Sequence, residues 1–272
     1  MCVRGAYNLP MDPQKSVASI RSAFGSADAE SYAALCTRHA GDGRPGVQAA
    51  VAAARRRLDR ERAVAERQRA LAAREEALYA SGCLVVAGVD EVGRGALAGP
   101  VTAGACVFAP GTVIPGLADS KKLTPAARER LDGLIRASAL KISVAHVAPG
   151  RIDAVGIAAA TVAAMRDALQ GLGCAVDHAL VDGLPVDLGV PSTSVIKGDD
   201  SVRAIAAASI VAKVARDALM VALDADHPGY GLAGNKGYGS ADHLSALESL
   251  GPCPIHRMSF GPCCSPRLFP DD

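Results

Sequence analysis

Apolar and polar residues alternate from residue 84 onward in the manner of an α/β protein. An apolar, β-branched run at 84–89 predicts a buried strand, and a similar run at 101–108 predicts a second. The connection between them is too short to hold a crossover helix, so we expect the two strands to form an antiparallel hairpin. Further strands are predicted at 140–147, 179–182 and 194–197.

Helical patterns fall between these strands. Thr124 followed by Pro125 is typical of a helix N-terminus and predicts a helix to about residue 138. Ser240 is the expected cap of another helix at 241–250. Longer helices are predicted at 152–171 and 201–225. Strands and helices in this order predict an α/β fold in which helices flank a mixed sheet.

The first part of the chain has a different pattern. Segment 47–80 is rich in Ala, Arg, Glu and Gln and contains neither Gly nor Pro, which predicts one long helix. Because Ser81 and Gly82 end this pattern, we divide the chain into an N-terminal helical extension (1–82), a main domain (83–263) and a C-terminal tail (264–272). Between 55 and 76 the extension has eight arginines against five acids. Such a helix is either a solvated spacer or a basic arm that touches a phosphate backbone.

Composition narrows the class of protein. The chain of 272 residues has a net charge of +1, which is not the overall basicity of a typical nucleic-acid-binding protein, although a local basic patch would be enough for binding. It contains neither an apolar stretch of about 18 residues nor a secretory signal, so we expect a cytoplasmic protein without a membrane partner. The eight cysteines are scattered without a Cys-x-x-C pair, which argues against a zinc site or a disulfide framework.

Acidic residues end two of the predicted strands. Asp90 and Glu91 follow the first strand, and Asp182, followed by Gly183, ends another. If these strands are neighbours in one sheet, their terminal carboxylates converge on the same edge. Buried carboxylates are costly unless they are paired or bound to a cation, so this arrangement predicts a divalent metal. The alternative is that Asp90 and Glu91 simply open a polar turn.

A fourth acid, Asp217, lies in the Ala-rich helix on the same stripe as Ile210 and Val214, so we expect it to point inward. The alternative is an i,i+4 ion pair with Lys213. Four converging acids without His or Cys favour a hard cation, Mg²⁺ or Mn²⁺. Two such ions about 3.5–4 Å apart are suited to phosphodiester hydrolysis, because one generates a hydroxide and both stabilise the displacement.

Six motifs in the same order resemble those of bacterial ribonuclease HII. Together they cover about residues 84–263, and the ordered set is far more specific than any single motif. The motifs are Gly-Val-Asp-Glu-Val-Gly-Arg-Gly at 88–95, Asp-Ser-Lys-Lys-Leu at 119–123, Val-Asp-Gly at 181–183, the helix 206–217 with its Lys-Val-Ala-Arg-Asp ending, Lys-Gly-Tyr-Gly at 236–239 with His243, and His-Arg-Met-Ser-Phe at 256–260.

The resemblance implies a ribonuclease H-like fold and an endonuclease that hydrolyses the RNA strand of RNA–DNA hybrids. It also implies nicking on the 5′ side of single ribonucleotides embedded in duplex DNA, which leaves a 5′-phosphate and a 3′-OH. The matching positions assign metal binding and catalysis to Asp90, Glu91, Asp182 and Asp217, with two Mg²⁺ or Mn²⁺ ions when substrate is bound. The expected partners are therefore RNA–DNA hybrids and ribonucleotide-containing DNA, and the default oligomeric state is a monomer.

The resemblance also assigns the recognition of ribose. Gly93, Arg94 and Gly95 match the segment whose backbone contacts the 2′-OH, the group that separates RNA from DNA at a given nucleotide. Tyr238 is the expected tyrosine that packs on the sugar beside the RNA–DNA junction. Tyr230 is the competing choice, and either ring could instead be a core aromatic.

The remaining matching residues have less definite roles. Lys121 and Lys122 are expected to contact phosphate, although an ordinary solvated helix start would have the same sequence. His243 and His256 suit a structural hydrogen-bonding role as well as a catalytic one. Arg257 suits the orientation of either a carboxylate or a phosphate.

Two features qualify the resemblance. The family commonly has Asn-Ile where this chain has Gly156 followed by Ile, and Gly has no side chain with which to cap a helix. The first 80 residues resemble an extension found in one bacterial subgroup, for which we expect an accessory role such as substrate grip. The competing functions are a ribonuclease HIII-like nuclease restricted to longer hybrids and a non-catalytic hybrid-binding protein.

Overall fold

The computed structural model describes residues 15–264, and contacts divide the chain into two compact units at Arg67 and Gln68. The first unit contains helix α1 (Val17–Ser26), helix α2 (Ala29–Arg38) and the first part of helix α3 (Pro45–Ala80). Its small core is formed by Ile20, Phe24, Val47, Ala50 and Ala54. The predicted helix over 47–80 is confirmed. Helices α1 and α2 were not predicted, because their apolar groupings are short.

The unit division falls inside α3, whereas the sequence pattern placed a boundary at Ser81 and Gly82. The C-terminal turns of α3 belong to the second unit, where the Tyr79 hydroxyl donates a 2.6 Å hydrogen bond to the Phe108 carbonyl. The proposed boundary at 82 and the tail after 263 stay predictions, and residues 265–272 lie outside the described part of the chain.

A five-stranded mixed sheet forms the centre of the second unit. Its spatial order is β3-β2-β1-β4-β5, in which β2 is antiparallel to both of its neighbours, β1 and β3, and β4 and β5 run parallel to β1. The antiparallel hairpin and the mixed sheet are confirmed. The strands are β1 (Val86–Val92), β2 (Val101–Val107), β3 (Lys141–Val147), β4 (His178–Asp182) and β5 (Ser192–Val195).

The predicted helices are confirmed, with one break. Gly156 has φ +79 and ends a short helix, so the expected helix at 152–171 is two helices. A short 3₁₀ turn at Ser120–Lys122 precedes α4. The helices of the second unit are α4 (Pro125–Ser138), α5 (Pro149–Val155), α6 (Ile157–Gln170), α7 (Gly198–Ser201), α8 (Arg203–Asp226), α9 (Leu232–Asn235), α10 (Ala241–Leu250) and α11 (Gly261–Cys264).

Helices cover both faces of the sheet. On one face, α6 buries Ala164 and Met165 against the sheet. On the other face, the backbone of α8 packs closely against the strands. A Cβ atom at Gly88 or Gly104 would overlap the backbone of α8, so glycine permits this close approach. Side chains alternate along a strand, so Asp90 lies on the same face of β1 as Gly88, toward α8. Within residues 15–264, no helix is long and apolar enough to cross a membrane.

Candidate active site

Three carboxylates meet at one edge of the sheet. Strands β1 and β4 are parallel neighbours with Val89 beside Val181, so the next residues, Asp90 and Asp182, lie at the same level. Asp199 joins them from α7, which follows β5. One carboxylate oxygen from each of these three residues lies within 4.8 Å of the other two. The predicted convergence of Asp90 and Asp182 is therefore found, with a third partner that the sequence analysis did not single out.

The surroundings of Asp90, Glu91 and Asp182 disfavour negative charge on these three carboxylates. Asp90 is only 4% exposed, and burial, followed by the nearby charge of Glu91, raises its pKa well above the ordinary value. Burial also raises the pKa of Asp182, and the charge of Asp199 adds to this effect. Burial raises the pKa of Glu91, although Arg94 opposes it at an ion-pair distance of 3.3 Å. A bound cation would reverse this balance, because it stabilises the charged form of each group.

The donor set fits a hard divalent cation. Asp90, Asp182 and Asp199 offer carboxylate oxygens alone, and Glu91 is the adjacent carboxylate on β1. Oxygen donors of this kind suit Mg²⁺ and Mn²⁺. The Gly198 amide donates a 2.6 Å hydrogen bond to Asp182 Oδ1, which orients that carboxylate toward the group.

The sequence contains a signal for Asp199. This residue follows the predicted strand at 194–197 within two residues, just as Asp90 and Asp182 end their strands. The turn into α7 depends on Lys197, which has a positive φ of 57, and on Gly198. Because a non-glycine residue rarely adopts this conformation, sequence periodicity did not predict the sharp turn that brings Asp199 back to the sheet edge.

Asp217 lies in different surroundings. Its carboxylate is 2.8 Å from Lys213 Nζ and 3.5 Å from Arg128 Nη1, and it is not a member of the three-carboxylate group. The i,i+4 pair with Lys213, considered as the alternative from sequence, is therefore present. The sequence predicts that Asp217 converges with Asp90 and Asp182, whereas in the structure it lies outside their group.

A cleft lies beside the carboxylates. Its volume is about 130 Å³. Lys121 and Tyr238 line it, so the structure brings these two predicted substrate-binding residues to the same place as Asp90. Lys122 has its ammonium 2.9 Å from Asp200. The residues around the cleft are Asp90, Glu91, Val92, Ser120, Lys121, Arg128, Ser209, Lys213 and Tyr238.

The structure distinguishes the two tyrosines. Tyr230 is 7% exposed, and its hydroxyl donates a 2.7 Å hydrogen bond to the Gly251 carbonyl inside the protein. Tyr238 is 37% exposed, lines the cleft, and has Arg216 and Lys213 at 5.5 and 5.8 Å from its ring centroid. Tyr238 is thus the tyrosine that a substrate in this cleft could contact.

The Gly-Arg-Gly segment is held from behind by a buried arginine. The Arg257 side chain, which is fully buried, donates hydrogen bonds of 2.7 Å to the Gly93 carbonyl and 2.8 Å to the Arg94 carbonyl. It donates a third, of 3.0 Å, to the Gly99 carbonyl. The sequence left open whether Arg257 orients a carboxylate or a phosphate. In the structure its guanidinium orients backbone carbonyls instead. Burial lowers its pKa to about 10, so it stays charged at neutral pH.

His243 and His256 form a buried pair whose Nε2 atoms are 3.0 Å apart. His256 Nδ1 accepts a hydrogen bond from the Cys253 amide, so its Nε2–H donates to His243. His243 Nδ1–H then donates to the Tyr238 carbonyl at 2.9 Å. Burial lowers the pKa of His256 to about 4, so this ring is neutral at neutral pH. The pair therefore supports the backbone of Tyr238.

Known proteins with similar sequences and folds give a consistent identity. The family model "Ribonuclease HII" matches residues 87–263, and the model "Ribonuclease HII N-terminal domain" matches residues 16–79. A ribonuclease HII from Mycobacterium avium is 52% identical over 185 residues, which cover 67% of this chain and 80% of that protein. One from Listeria innocua is 40% identical over 256 residues, 93% of this chain and 97% of that protein.

The fold has matches among solved structures. The crystal structure of ribonuclease H2 from Pyrococcus horikoshii is 28% identical, has a TM-score of 0.58, and is matched over 66% of this chain and 96% of its own. The models for the ribonuclease HII enzyme and for its N-terminal domain therefore match both parts of the chain, residues 87–263 and 16–79. The chain therefore belongs to the ribonuclease HII family and is a ribonuclease H, a hydrolase that cleaves the RNA strand of RNA–DNA hybrids.

Proposed function

We propose that this enzyme nicks duplex DNA on the 5′ side of single embedded ribonucleotides, as well as cutting longer RNA–DNA hybrids, and leaves a 5′-phosphate and a 3′-OH. The observation that carries this proposal is the group of Asp90, Asp182 and Asp199, with oxygens within 4.8 Å of one another, beside a cleft lined by Tyr238. The cleft thus combines a site for cations with a ring that can pack on a sugar.

The proposed metal ligands are Asp90, Glu91, Asp182 and Asp199, which would hold two Mg²⁺ or Mn²⁺ ions when substrate is bound. When bound, such ions supply an activated water and stabilise the charge on the reacting phosphate. The ligand role that the sequence suggested for Asp217 is given second place, because its carboxylate lies outside the group of Asp90, Asp182 and Asp199 and faces Lys213 and Arg128.

The proposed ribose reader is the backbone of Gly93, Arg94 and Gly95. Arg257 binds the carbonyls of Gly93 and Arg94, and in a trans peptide the N–H points opposite to the C=O. The amides of Arg94 and Gly95 therefore point away from the buried guanidinium. Amides held in this way can donate to a 2′-OH without reorganising.

Other residues would hold the rest of the nucleic acid. Lys121 and Lys122 are proposed to reach phosphates. In support, the Lys121 ammonium is 2.9 Å from Asp199, and the Lys122 ammonium is 2.9 Å from Asp200, the next residue in the chain. The helical extension, residues 1–82, is proposed as an accessory element that grips the substrate through arginines of α3. A monomeric enzyme in the cytoplasm stays our expectation.

The direct test uses a DNA duplex that carries one ribonucleotide. The purified enzyme is incubated with it in Mg²⁺, in Mn²⁺ and in chelator, and the product ends are mapped, with primer extension reporting a free 3′-OH. We expect a single metal-dependent nick on the 5′ side of the ribonucleotide. Cleavage of a long hybrid without this nick would restrict the activity to longer hybrids, and tight binding without any cleavage would indicate a non-catalytic binder.

A further inference from the structure

We propose that Arg216 is a positioning residue for ribose recognition: its buried guanidinium joins the loop at 93–100 and the loop at 236–238 into one preformed unit. This inference rests on the proposed function, in which the first loop reads the 2′-OH and Tyr238 of the second packs on the sugar. Arg216 would fix the position of the 2′-OH contact relative to the tyrosine that packs on the sugar.

Arg216 lies on α8 with no exposed surface. Its Nε donates a 2.9 Å hydrogen bond to the Pro100 carbonyl, and Nη2 donates one of 3.2 Å to the Ala98 carbonyl. Nη1 donates a third, of 2.9 Å, to the Lys236 carbonyl. One rigid, planar guanidinium thus binds carbonyls from both loops. Because its N–H donors have fixed directions, it restricts the positions of the three carbonyl groups relative to one another.

The two loops also contact each other directly. The Gly237 carbonyl accepts hydrogen bonds of 2.7 Å from the Leu97 amide and 3.2 Å from the Ala98 amide. A Cβ atom at Gly237, where φ is +80, would overlap the Ala98 carbonyl, and one at Gly93 would overlap the Arg216 side chain. Glycine at both positions therefore permits the close approach of the loops and of the guanidinium.

Arg216 also sets the surroundings of Tyr238. Its Cζ atom is 5.5 Å from the centroid of the Tyr238 ring, a distance at which a cation and an aromatic ring attract each other. The same side chain binds the carbonyl of Lys236, two residues earlier. Both the backbone and the ring of the sugar-packing tyrosine are thus oriented by the group that also holds the first loop.

Another buried arginine shows what a structural role looks like in this protein. Arg203 is equally buried, but it meets the carboxylate of Glu75 at 2.6 Å, and the two charges balance. The three hydrogen bonds of Arg216 go to loop carbonyls instead, and burial lowers its pKa. A guanidinium without a carboxylate is costly to bury, so its placement behind these two loops is best explained by what it orders there.

The test compares ribonucleotide recognition with general DNA binding. For Arg216→Lys, kcat/KM is measured on the duplex with one ribonucleotide, and the Ki of the same duplex made entirely of DNA is measured by competition. Lysine keeps the charge but cannot bind three carbonyls in one plane. We expect kcat/KM to fall about tenfold to a hundredfold, because small misplacements of a substrate have effects of this size. The Ki should change by less than about twofold, because non-specific binding depends on phosphate contacts.

Two further variants keep the test decisive. Arg203→Lys is the matched control and should lower the melting temperature while leaving kcat/KM and Ki unchanged. Gly237→Ala separates the loops without touching Arg216 and should reproduce the selective loss, and it decides the question if Arg216→Lys does not fold. Three results would overturn the proposal. The first is that Arg216→Lys weakens kcat/KM on the ribonucleotide duplex and binding of the all-DNA duplex equally, and the second is that kcat/KM is unchanged in both Arg216→Lys and Gly237→Ala. The third is that Arg203→Lys shows the same selective loss of kcat/KM. A wild-type enzyme that does not nick the ribonucleotide duplex would instead refute the proposed function.

Discussion

The carboxylate group of Asp90, Asp182 and Asp199 and the arginine pair of Arg216 and Arg257 both bury charge, but the charge is balanced in different ways. The carboxylates lie within 4.8 Å of one another, and burial and mutual repulsion raise the pKa of Asp90 and of Asp182. The arginines bind carbonyl oxygens of the loops around them. The first region therefore has the charge balance expected of a cation site, whereas the charge in the second is balanced by the protein's own carbonyl groups.

This difference predicts opposite effects of neutralising substitutions on stability and activity. Removing a carboxylate relieves repulsion in the metal-free protein, and removing an arginine leaves loop carbonyls without donors. Neutralising a carboxylate should therefore raise the stability of the folded protein in the absence of metal, whereas neutralising an arginine should lower it.

The largest effect is expected for Asp90→Asn. We expect kcat to fall at least about a thousandfold, because metal coordination contributes several kcal/mol to transition-state stabilisation. The melting temperature in chelator should rise, since the variant no longer buries a charge beside Glu91 and Asp182. Initial rates on the ribonucleotide duplex measure the change in kcat, and thermal unfolding with and without Mn²⁺ measures the change in stability. The wild-type protein, whose melting temperature should rise more with the metal, is the control. A lower melting temperature in chelator would contradict this account of the carboxylate group.

Asp199→Asn and Asp217→Asn differ in what the substitution removes. Asp199→Asn should lower kcat about a hundredfold or more and weaken the thermal stabilisation by Mn²⁺, because Asp199 belongs to the carboxylate group. Asp217→Asn should lower kcat by less than about tenfold, because it removes an ion pair with Lys213. Initial rates on the ribonucleotide duplex compare the two variants directly. The reverse order would restore Asp217 as a metal ligand.

His256 is a third kind of buried titratable group, because burial favours its neutral form. The pKa of His256 is lowered from 6.5 to about 4, so the unfolded chain binds more protons than the folded protein between these values. The stability that His256 contributes is therefore complete above pH 6.5 and decreases as the pH falls toward 4. Lowering the pH from 7 to 4.5 should cost roughly 2 kcal/mol through this residue.

Urea unfolding in chelator at the two pH values, with His256→Gln beside the wild-type protein, measures this contribution. The carboxylates with raised pKa values act in the opposite direction, but they are present in both proteins and cancel in the comparison. The unfolding free energy of the variant should depend less on pH than that of the wild type. Identical pH dependence would show that His256 is not buried as a neutral ring.

The smallest effect is expected from exposed charges on the extension. Arg56 and Arg60 lie one turn apart on the solvent-facing side of α3. If they touch a phosphate backbone, replacing both with Ala should reduce the slope of log Kd against log salt by about 1.8. Arg62→Ala, at a position where the side chain is 3.0 Å from Glu66, is the control and should change the slope less. An unchanged slope in the double variant would favour the solvated spacer.

Much of the fold follows from local sequence signals. The hairpin of β1 and β2 was predictable because a connection of eight residues cannot hold a crossover helix, and α4 was predictable from Thr124, whose hydroxyl accepts a hydrogen bond from the Ala127 amide. The meeting of Asp90 and Asp182 was predictable on the condition that their strands are neighbours. All of these depend on periodicity or capping within a few residues.

The sequence by itself therefore determined the α/β class, the long helix α3 and two of the three grouped carboxylates. Only the tertiary structure decided that Asp199 completes the group, because its position depends on the left-handed turn at Lys197. The same is true of the arginine pair. Arg216 and Arg257 bind carbonyls 116 and 164 positions away in the chain, and local patterns carry no information about such partners. A buried charge is balanced by whatever folding brings beside it, and that is a property of the whole fold.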